Sequence, residues 1–145
     1  CAKVSTLEAM AWGLGSMKGQ LCPVMDARRS QVYNARFVSD GSGITRLTPD
    51  RAISTEELAE ELKKEGKEQI LVGDGATLCY NQFSAMGLPV CIPSANLQYQ
   101  AAWGVARAGL ELARKGELVT ASQLVPEYHR LSQAERERLE KQREQ

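Results

Sequence analysis

Asp26 is the first residue whose type and position suit chemistry. It directly follows the apolar segment 21–25 and precedes Arg28 and Arg29. A carboxylate at the end of a strand acts as a general base or a magnesium ligand in many sites. An aspartate in a turn instead caps backbone amides and pairs with a nearby arginine. The residues alone favour the turn role for Asp26.

A short glycine-rich segment, Gly73-Asp74-Gly75, follows a second apolar run and precedes a predicted helix. Backbone amides in such a turn bind phosphate groups. The segment lacks the GxGxxG spacing and the lysine of GxxxxGK[ST]. We therefore favour a tight strand-to-helix turn over a phosphate loop.

Four serines are possible nucleophiles in principle: Ser5, Ser30, Ser84 and Ser94. None of them lies in a GxSxG sequence, and a Ser-His-Asp triad would have to use His129, the one histidine. An exposed or interface histidine is the favoured interpretation of His129, and HExxH is absent. The sequence therefore predicts no catalytic residue, no metal site and no cofactor site.

A small positive patch is suggested by Arg28, Arg29 and Arg36. It would touch RNA only within a larger assembly, and a solvated sheet edge is favoured. The aromatic residues considered for base stacking are Trp12, Trp103, Tyr33 and Tyr128. They are scattered and lack interleaved Lys and Arg residues, so core or interface packing is favoured.

Composition narrows the class of protein. The 145 residues carry 18 Lys plus Arg and 18 Asp plus Glu, so the formal net charge is zero and a uniformly basic nucleic-acid clamp is excluded. The hydrophobic fraction of 43% and the charged fraction of 25% are typical of a globular domain rather than a disordered chain. No apolar run approaches the roughly 18 residues that span a bilayer, so we expect no membrane partner.

The cysteines are Cys1, Cys22, Cys79 and Cys91, and they lack the CxxC spacing of zinc sites. No secretory signal follows Cys1. We therefore expect a cytoplasmic protein in which Cys22, Cys79 and Cys91 are small core hydrophobes.

Helices are predicted over 4–14, 54–66, 76–83 and 97–115. Ser5 with Glu8, and Ser54 with Glu57, match the capping box at the first two helix starts. In the last helix, apolar residues at helical spacing are predicted to share one face. They are Leu97, Ala101, Val105, Ala108 and Leu112.

Strands are predicted over 21–25, 31–38 and 44–47, and the turn sequences between them predict an antiparallel meander. Two further strands are predicted over 69–73 and, as a short edge strand with two prolines, over 88–93. This order indicates an α/β domain with a mixed sheet and flanking helices. Residues 131–145 carry charges of alternating sign and predict a frayed helix or a disordered tail.

Several of these strings occur in an order that resembles the carboxy-terminal lobe of the TsaB/YeaZ family. They are Val4-Ser5-Thr6-Leu7-Glu8-Ala9-Met10-Ala11, Pro23-Val24-Met25-Asp26-Ala27-Arg28, Val32-Tyr33-Asn34-Ala35-Arg36-Phe37, Gly73-Asp74-Gly75 and Pro126-Glu127-Tyr128-His129-Arg130. The resemblance covers about residues 3 to 132, and His129 replaces the leucine that is more usual there.

The resemblance implies one lobe of the actin-like ATPase (ASKHA) fold and a relation to the glycoprotease family labelled peptidase M22. It also implies a non-catalytic scaffold in the synthesis of threonylcarbamoyladenosine at position 37 of tRNA (t6A37). The implied partners are a TsaD-like catalytic paralogue and a TsaE-like ATPase, with tRNA contacted only indirectly. Metal and nucleotide sites would then belong to the TsaD-like partner.

The family's first lobe carries a DTS-like acidic strand and a GPGSFTGxR-like stretch, and this sequence contains neither. We therefore expect residues 1–130 to form a single α/β lobe from a longer protein, followed by the charged tail 131–145. Apolar surface left by the missing lobe would favour a homodimer.

Two other functions stay open from the sequence. One is an M22-type glycoprotease or hydrolase, which needs a metal or a nucleophile that no motif supplies. The other is half of an actin-like nucleotide-binding enzyme such as a sugar kinase, which would carry only half of its cleft.

Overall fold

The computed structural model describes residues 1–129, so Arg130 and the predicted tail lie outside the described residues. The helices are α1 (Thr6–Gly13), α2 (Thr55–Glu65), α3 (Ala76–Ala85) and α4 (Ala102–Arg114), with short 3-10 turns at Ala95–Leu97 and Ala121–Gln123. The strands are β1 (Gly19–Asp26), β2 (Gln31–Asn34), β3 (Phe37–Ser39), β4 (Ile44–Arg46), β5 (Arg51–Ser54), β6 (Gln69–Val72) and β7 (Val90–Cys91).

The predicted antiparallel meander is confirmed. β1 is the strand through which the meander joins the rest of the sheet. β2 and β3 pair with β1 in one continuous register, with Val24 opposite Asn34 and Leu21 opposite Phe37. They are two halves of one strand that is interrupted opposite Pro23, which has no N–H to donate to the ladder. β5 and β4 pair antiparallel with the outer edges of β2 and β3, and β5 was missed by the sequence analysis.

The other edge of β1 carries two parallel strands. β6 pairs with β1, and β7 pairs with β6. Both strands were predicted, but β7 is only two residues long instead of spanning 88–93. Pro89 and Pro93 flank it and donate no backbone hydrogen bond, which limits the ladder.

Alternate residues of the strands point to opposite faces and build two cores. One core joins the sheet to α2 and α3, and includes Cys22, Val24, Val32, Leu58, Leu62, Leu71, Cys79 and Phe83. The other joins the sheet to α1, and includes Leu7, Met10, Leu14, Leu21, Phe37, Ile70 and Val72. α4 packs against α1 on that side.

The two predicted capping boxes have different outcomes. At α2 the box is complete, because the Ser54 hydroxyl accepts from the Glu57 amide and the Glu57 carboxylate accepts from the Ser54 amide. At α1 Ser5 accepts from the Glu8 amide, but the Glu8 carboxylate binds Arg46 instead. The box predicted for α1 is therefore only half formed.

The longest helix differs from its prediction. α4 begins at Ala102 rather than Leu97, and Val105, which was assigned to the buried face, is 43% exposed. Gly104 and Ala108 are the buried residues of α4. A Cβ atom at Gly104 would lie 2.1 Å from the Ala9 carbonyl oxygen, so the close crossing with α1 selects glycine there and sets the helix rotation.

Candidate functional site

Residues singled out for chemistry meet at the carboxyl ends of β1 and β6. Asp26 ends β1, and residues 73–75 follow β6 directly. The two strands are parallel neighbours, so their ends lie side by side. The Asp26 amide donates to the Asp74 carboxylate at 3.1 Å. We call residues 26–30 and 73–75 together the strand-end turns.

Within the strand-end turns, the Asp26 carboxylate accepts a hydrogen bond from the Arg28 amide at 2.7 Å. The predicted turn role of Asp26 is confirmed, with the backbone amide of Arg28 as its partner. Arg28, Arg29 and Ser30 follow with φ of 65°, 54° and 55°, a left-handed run that is rare outside glycine. The Thr55 amide donates to the Ser30 carbonyl at 2.9 Å and so ties this run to the start of α2.

Two backbone amides of the glycine segment donate to carbonyl oxygens elsewhere in the fold. The Gly73 amide donates to the Gln98 carbonyl at 2.7 Å, and the Gly75 amide donates to the Val24 carbonyl at 3.2 Å. Gly73 has φ of 107°, and a Cβ atom there would lie 2.2 Å from the Val24 oxygen. These bonds and this close approach support the tight turn, because amides bound to carbonyls are not offered to a phosphate.

The structure brings Ser5, Asp50 and His129 to one groove of about 660 Å³. We call it the terminal groove, and its lining residues are Lys3, Val4, Ser5, Thr6, Leu7, Met25, Tyr33, Asp50, Leu124, Val125, Pro126, Glu127, Tyr128 and His129. Lys3 and Glu127 form an ion pair at 3.2 Å between the two chain segments that form its walls.

The arrangement in the terminal groove is not that of a catalytic triad. A triad places the imidazole between the serine and the carboxylate. Here the Ser5 hydroxyl donates directly to Asp50 at 2.5 Å and accepts from the Glu8 amide as the cap of α1. Within residues 1–129, His129 forms no hydrogen bond with either side chain. Ser5 therefore serves as a cap.

The other three candidate serines do not line the terminal groove. Ser30, Ser84 and Ser94 are exposed and are absent from its lining. Among the aromatic residues, Tyr33 and Tyr128 both line the groove, although the sequence analysis treated them as scattered. No local pattern links these two tyrosines, because they lie more than ninety residues apart in the sequence and only the fold brings them together.

Behind the groove lies a charge network that the sequence analysis missed. Arg46 binds Glu8 at 2.7 Å and Asp50 at 2.5 Å. Its guanidinium also lies 4.7 Å from the centre of the Phe37 ring. In the sequence, Arg46 and Asp50 are four residues apart, a spacing that predicts an ion pair only within a helix. These residues are not in a helix, so the sequence did not predict their ion pair.

The prediction of a positive patch with Arg28, Arg29 and Arg36 is wrong. Arg28 and Arg29 are exposed in the strand-end turns, but Arg36 is only 5% exposed. It binds Glu65 and lies 3.8 Å from Glu61. Residue 36 continues the alternation of Val32 and Asn34, so its side chain points to the α2 face instead of the sheet edge.

Arg51 completes this second charge cluster. Its guanidinium binds Glu61 in a bidentate pair at 2.5 and 3.0 Å. Hydrogen bonds from Arg51 hold the pKa of Glu61 below its usual range. The cluster of Arg36, Arg51, Glu61 and Glu65 therefore ties the meander to α2.

The cysteines fit the prediction of core residues. Cys22 and Cys79 are buried and free, and burial raises the pKa of both thiols to about 12. Cys91 is half-buried, and burial raises its pKa as well. Thiols with raised pKa values stay protonated at neutral pH and are poor nucleophiles.

Residues 1–129 contain neither a candidate metal cluster nor a candidate membrane-spanning helix. No group of three or more His, Cys, Asp or Glu side chains in this range is placed to hold a metal ion. No helix in this range combines the length and the apolar character needed to cross a membrane.

Comparison with known proteins identifies relatives. No family model matches the chain. The chain is 27% identical over 141 residues to the tRNA threonylcarbamoyladenosine biosynthesis protein TsaB of Bacillus subtilis, covering 97% of this chain and 60% of that protein. It thus spans about three fifths of the length of the curated relative that it matches.

Solved structures show the same fold. YeaZ from Pseudomonas aeruginosa superposes with a TM-score of 0.63 and 17% identity, covering 86% of this chain and 57% of that one. A Pseudomonas aeruginosa protein described as similar to peptidase YeaZ gives a TM-score of 0.65 and 22% identity, covering 88% and 57%. The chain therefore has an α/β fold of the YeaZ type, with a largely antiparallel sheet and flanking helices.

Proposed function

Because this chain is a distant, partial-length relative of the TsaB/YeaZ family, we propose that it serves as a non-catalytic scaffold in the synthesis of threonylcarbamoyladenosine in tRNA. The observation that carries this proposal is the similarity to TsaB, which runs through 141 residues rather than one motif. The proposed partners are a TsaD-like catalytic paralogue and a TsaE-like ATPase in the cytoplasm. Contact with tRNA is proposed to be indirect.

The same proposal covers the domain organisation. Residues 1–130 act as one lobe of an actin-like (ASKHA) fold, and residues 131–145 form a charged tail. The superposition on somewhat less than three fifths of YeaZ supports a lobe of a two-lobed body. In this arrangement the lobe works through a longer assembly rather than alone.

The contacts of the candidate residues support a structural role. Asp26 holds the turn before Arg28, and Ser5 holds the start of α1. The amides of Gly73 and Gly75 are bonded to carbonyl oxygens of neighbouring segments. Ser5, Asp26, Gly73 and Gly75 therefore each have a partner that stabilises the fold.

The test is complementation in cells that lack their own TsaB and whose tRNA is assayed for threonylcarbamoyladenosine by mass spectrometry. We expect the chain, expressed in its native reading frame, to restore the modification and to co-purify with the TsaD-like protein. Asp26→Asn and Ser5→Ala should restore it to a comparable level, because neither side chain takes part in the transfer.

Two results would overturn the proposed scaffold role. One is full modification in cells without the chain. The other is loss of modification in a folded Asp26→Asn or Ser5→Ala protein that still co-purifies with its partner, which would favour the hydrolase alternative. Micromolar ATP binding by the purified chain would favour a nucleotide-binding lobe.

A further inference from the structure

One edge of the sheet is left unpaired at β5. Within the described residues β5 pairs only with β2, so its other side faces outward. The Thr55 amide donates to the Ser30 carbonyl, and hydrogen-bonded residues alternate along an antiparallel pair. Arg51 and Ile53 therefore bond to β2, whereas Ala52 directs both its N–H and its C=O away from that strand.

The unpaired backbone lies in a groove of about 570 Å³ between β5 and α2. Ala52 lines one side of this groove, and Glu56, Glu57, Glu60 and Glu61 line the other. We call it the β5 groove. Proline and lysine are two residues that commonly protect an edge strand from pairing with another chain. β5 contains neither, so neither device blocks a further strand.

Two of the four glutamates already serve the fold. The Glu61 carboxylate accepts two hydrogen bonds from the Arg51 guanidinium. The Glu57 carboxylate accepts from the Ser54 amide in the capping box of α2. These two carboxylates are therefore not the ones offered to a ligand.

Glu56 and Glu60 are the carboxylates that remain. Both are exposed, and neither forms an ion pair in the part of the chain that the structure describes. They are one helical turn apart, which is about 6 Å along the axis of α2. Alternate side chains on one face of a strand are about 7 Å apart, so cations at alternate positions of an added strand match this spacing. Lys64 lies a further turn along the same wall, toward the end of α2.

We propose that the β5 groove binds an extended segment of a partner protein that carries Lys or Arg at alternate positions and adds to β5 as a further strand. Backbone hydrogen bonds to Ala52 hold the segment, and its cations pair with Glu56 and Glu60. Peptides extend exposed sheet edges in this way, with main-chain bonds giving affinity and side chains giving specificity. A basic segment is favoured over an apolar one, beside which the two carboxylates would lose water without gaining a partner. This binding is independent of the proposed role in tRNA modification.

The first experiment measures binding of a fluorescein-labelled peptide of alternating lysine and threonine to the full chain by fluorescence anisotropy. We expect the dissociation constant to rise at least about 10-fold in the double variant Glu56→Lys/Glu60→Lys, because attraction becomes repulsion at both contacts. The control is Glu68→Lys/Glu117→Lys, which changes the net charge equally at exposed residues outside the β5 groove and should bind as wild type does. Circular dichroism checks that both variants are folded.

The second experiment separates strand addition from attraction of charges alone. Ala52→Pro removes the outward N–H and leaves the bonds to β2 in place, so it should weaken binding of the same peptide at least about 10-fold. Ala52→Ser keeps the N–H and should bind normally. Because alternate amides of a strand point to opposite sides, N-methylation of one alternate set of peptide amides should weaken binding to the wild-type chain as strongly. Methylation of the other set should not.

Four results would overturn the proposal. The wild-type chain fails to bind the lysine peptide at concentrations up to about 1 mM, or it binds a peptide of alternating glutamate and threonine equally well. Binding falls as much in Glu68→Lys/Glu117→Lys as in Glu56→Lys/Glu60→Lys. The two methylated peptides bind with the same affinity, which would exclude pairing with the edge of β5.

Discussion

α2 and α4 are helices of similar length in one molecule, and they present opposite kinds of surface to their surroundings. The outer face of α2 carries Glu56, Glu60, Lys63 and Lys64, all exposed. The outer face of α4 instead carries the exposed apolar residues Trp103, Ala106, Leu110 and Ala113. Both helices bury an inner face, so the difference lies entirely in what each one shows outward.

This difference separates the residues that hold each helix in the fold from the residues that face its surroundings. The inner faces are sufficient to place both helices, because burial of apolar area is the main source of their stability. Charges on the outside of α2 keep that side in water. The exposed Trp103 and Leu110 on the outside of α4 are not needed to hold that helix against α1.

The largest expected effect contrasts the two faces directly. Leu58→Ala, on the inner face of α2, should lower the free energy of unfolding by about 2–5 kcal/mol, because Leu58 is fully buried and its removal leaves a cavity. Leu110→Ala, on the outer face of α4, should change it by less than about 0.5 kcal/mol in the monomer. Urea denaturation at a concentration too low for association measures both values.

The comparison fails if the two leucines prove equivalent. A large loss of monomer stability in Leu110→Ala would mean that the outer face of α4 is held within the fold of the single chain. The m-value should stay constant in both variants, so that a change in the midpoint reports stability alone.

Parts of the fold that depend on local pattern were predictable. The meander followed from alternating residues between two turn sequences, and the start of α2 followed from Ser54 and Glu57. β5 was missed because residues 51–54 carry too little apolar alternation. Their pairing depends on β2, a neighbour that is distant in sequence.

The second expected effect tests the close crossing that fixes the rotation of α4. Gly104→Ala should destabilise the fold by about 1–3 kcal/mol, because its Cβ would overlap the Ala9 carbonyl oxygen. Gly109→Ala is the matched control, since the nearest atom to a Cβ there is 3.5 Å away, at Ala2. That control should be neutral or stabilise by up to about 1 kcal/mol, because alanine is the better helix former.

Thermal unfolding of the two glycine variants decides the point. If Gly104→Ala is as stable as Gly109→Ala, α4 does not approach α1 as closely as the structure shows. The crossing with α1 would then not fix which face of α4 is exposed. If the loss is found, packing against α1 determines which face of α4 is exposed.

The candidate site was predictable only in part. Asp26 and the glycine segment lie where strand ends were expected, because an apolar run followed by turn residues is a local signal. The terminal groove and the position of Arg36 were not predictable. Both depend on side chains from distant segments, and a single arginine in a strand does not reveal whether it meets water or glutamates.

The smallest expected effect concerns the charge cluster between the meander and α2. The pKa of Glu61 is held down by hydrogen bonds from Arg51, so the unfolded state binds this proton more readily than the folded state. The stabilisation by Glu61 is therefore present above the usual glutamate pKa and is lost as pH falls through the lowered value.

Glu61→Gln should accordingly cost about 1 kcal/mol at pH 7, a modest value because the pair is partly exposed and solvent screens it. The difference from wild type should shrink as the pH falls below about 4.3, where the unfolded glutamate takes up its proton. Glu60→Gln is the control, because Glu60 is exposed and makes no ion pair within the described residues. Urea denaturation of the three proteins between pH 3 and 7 provides the measurement. A difference that stays constant over that range would show that Glu61 acts through packing instead of charge.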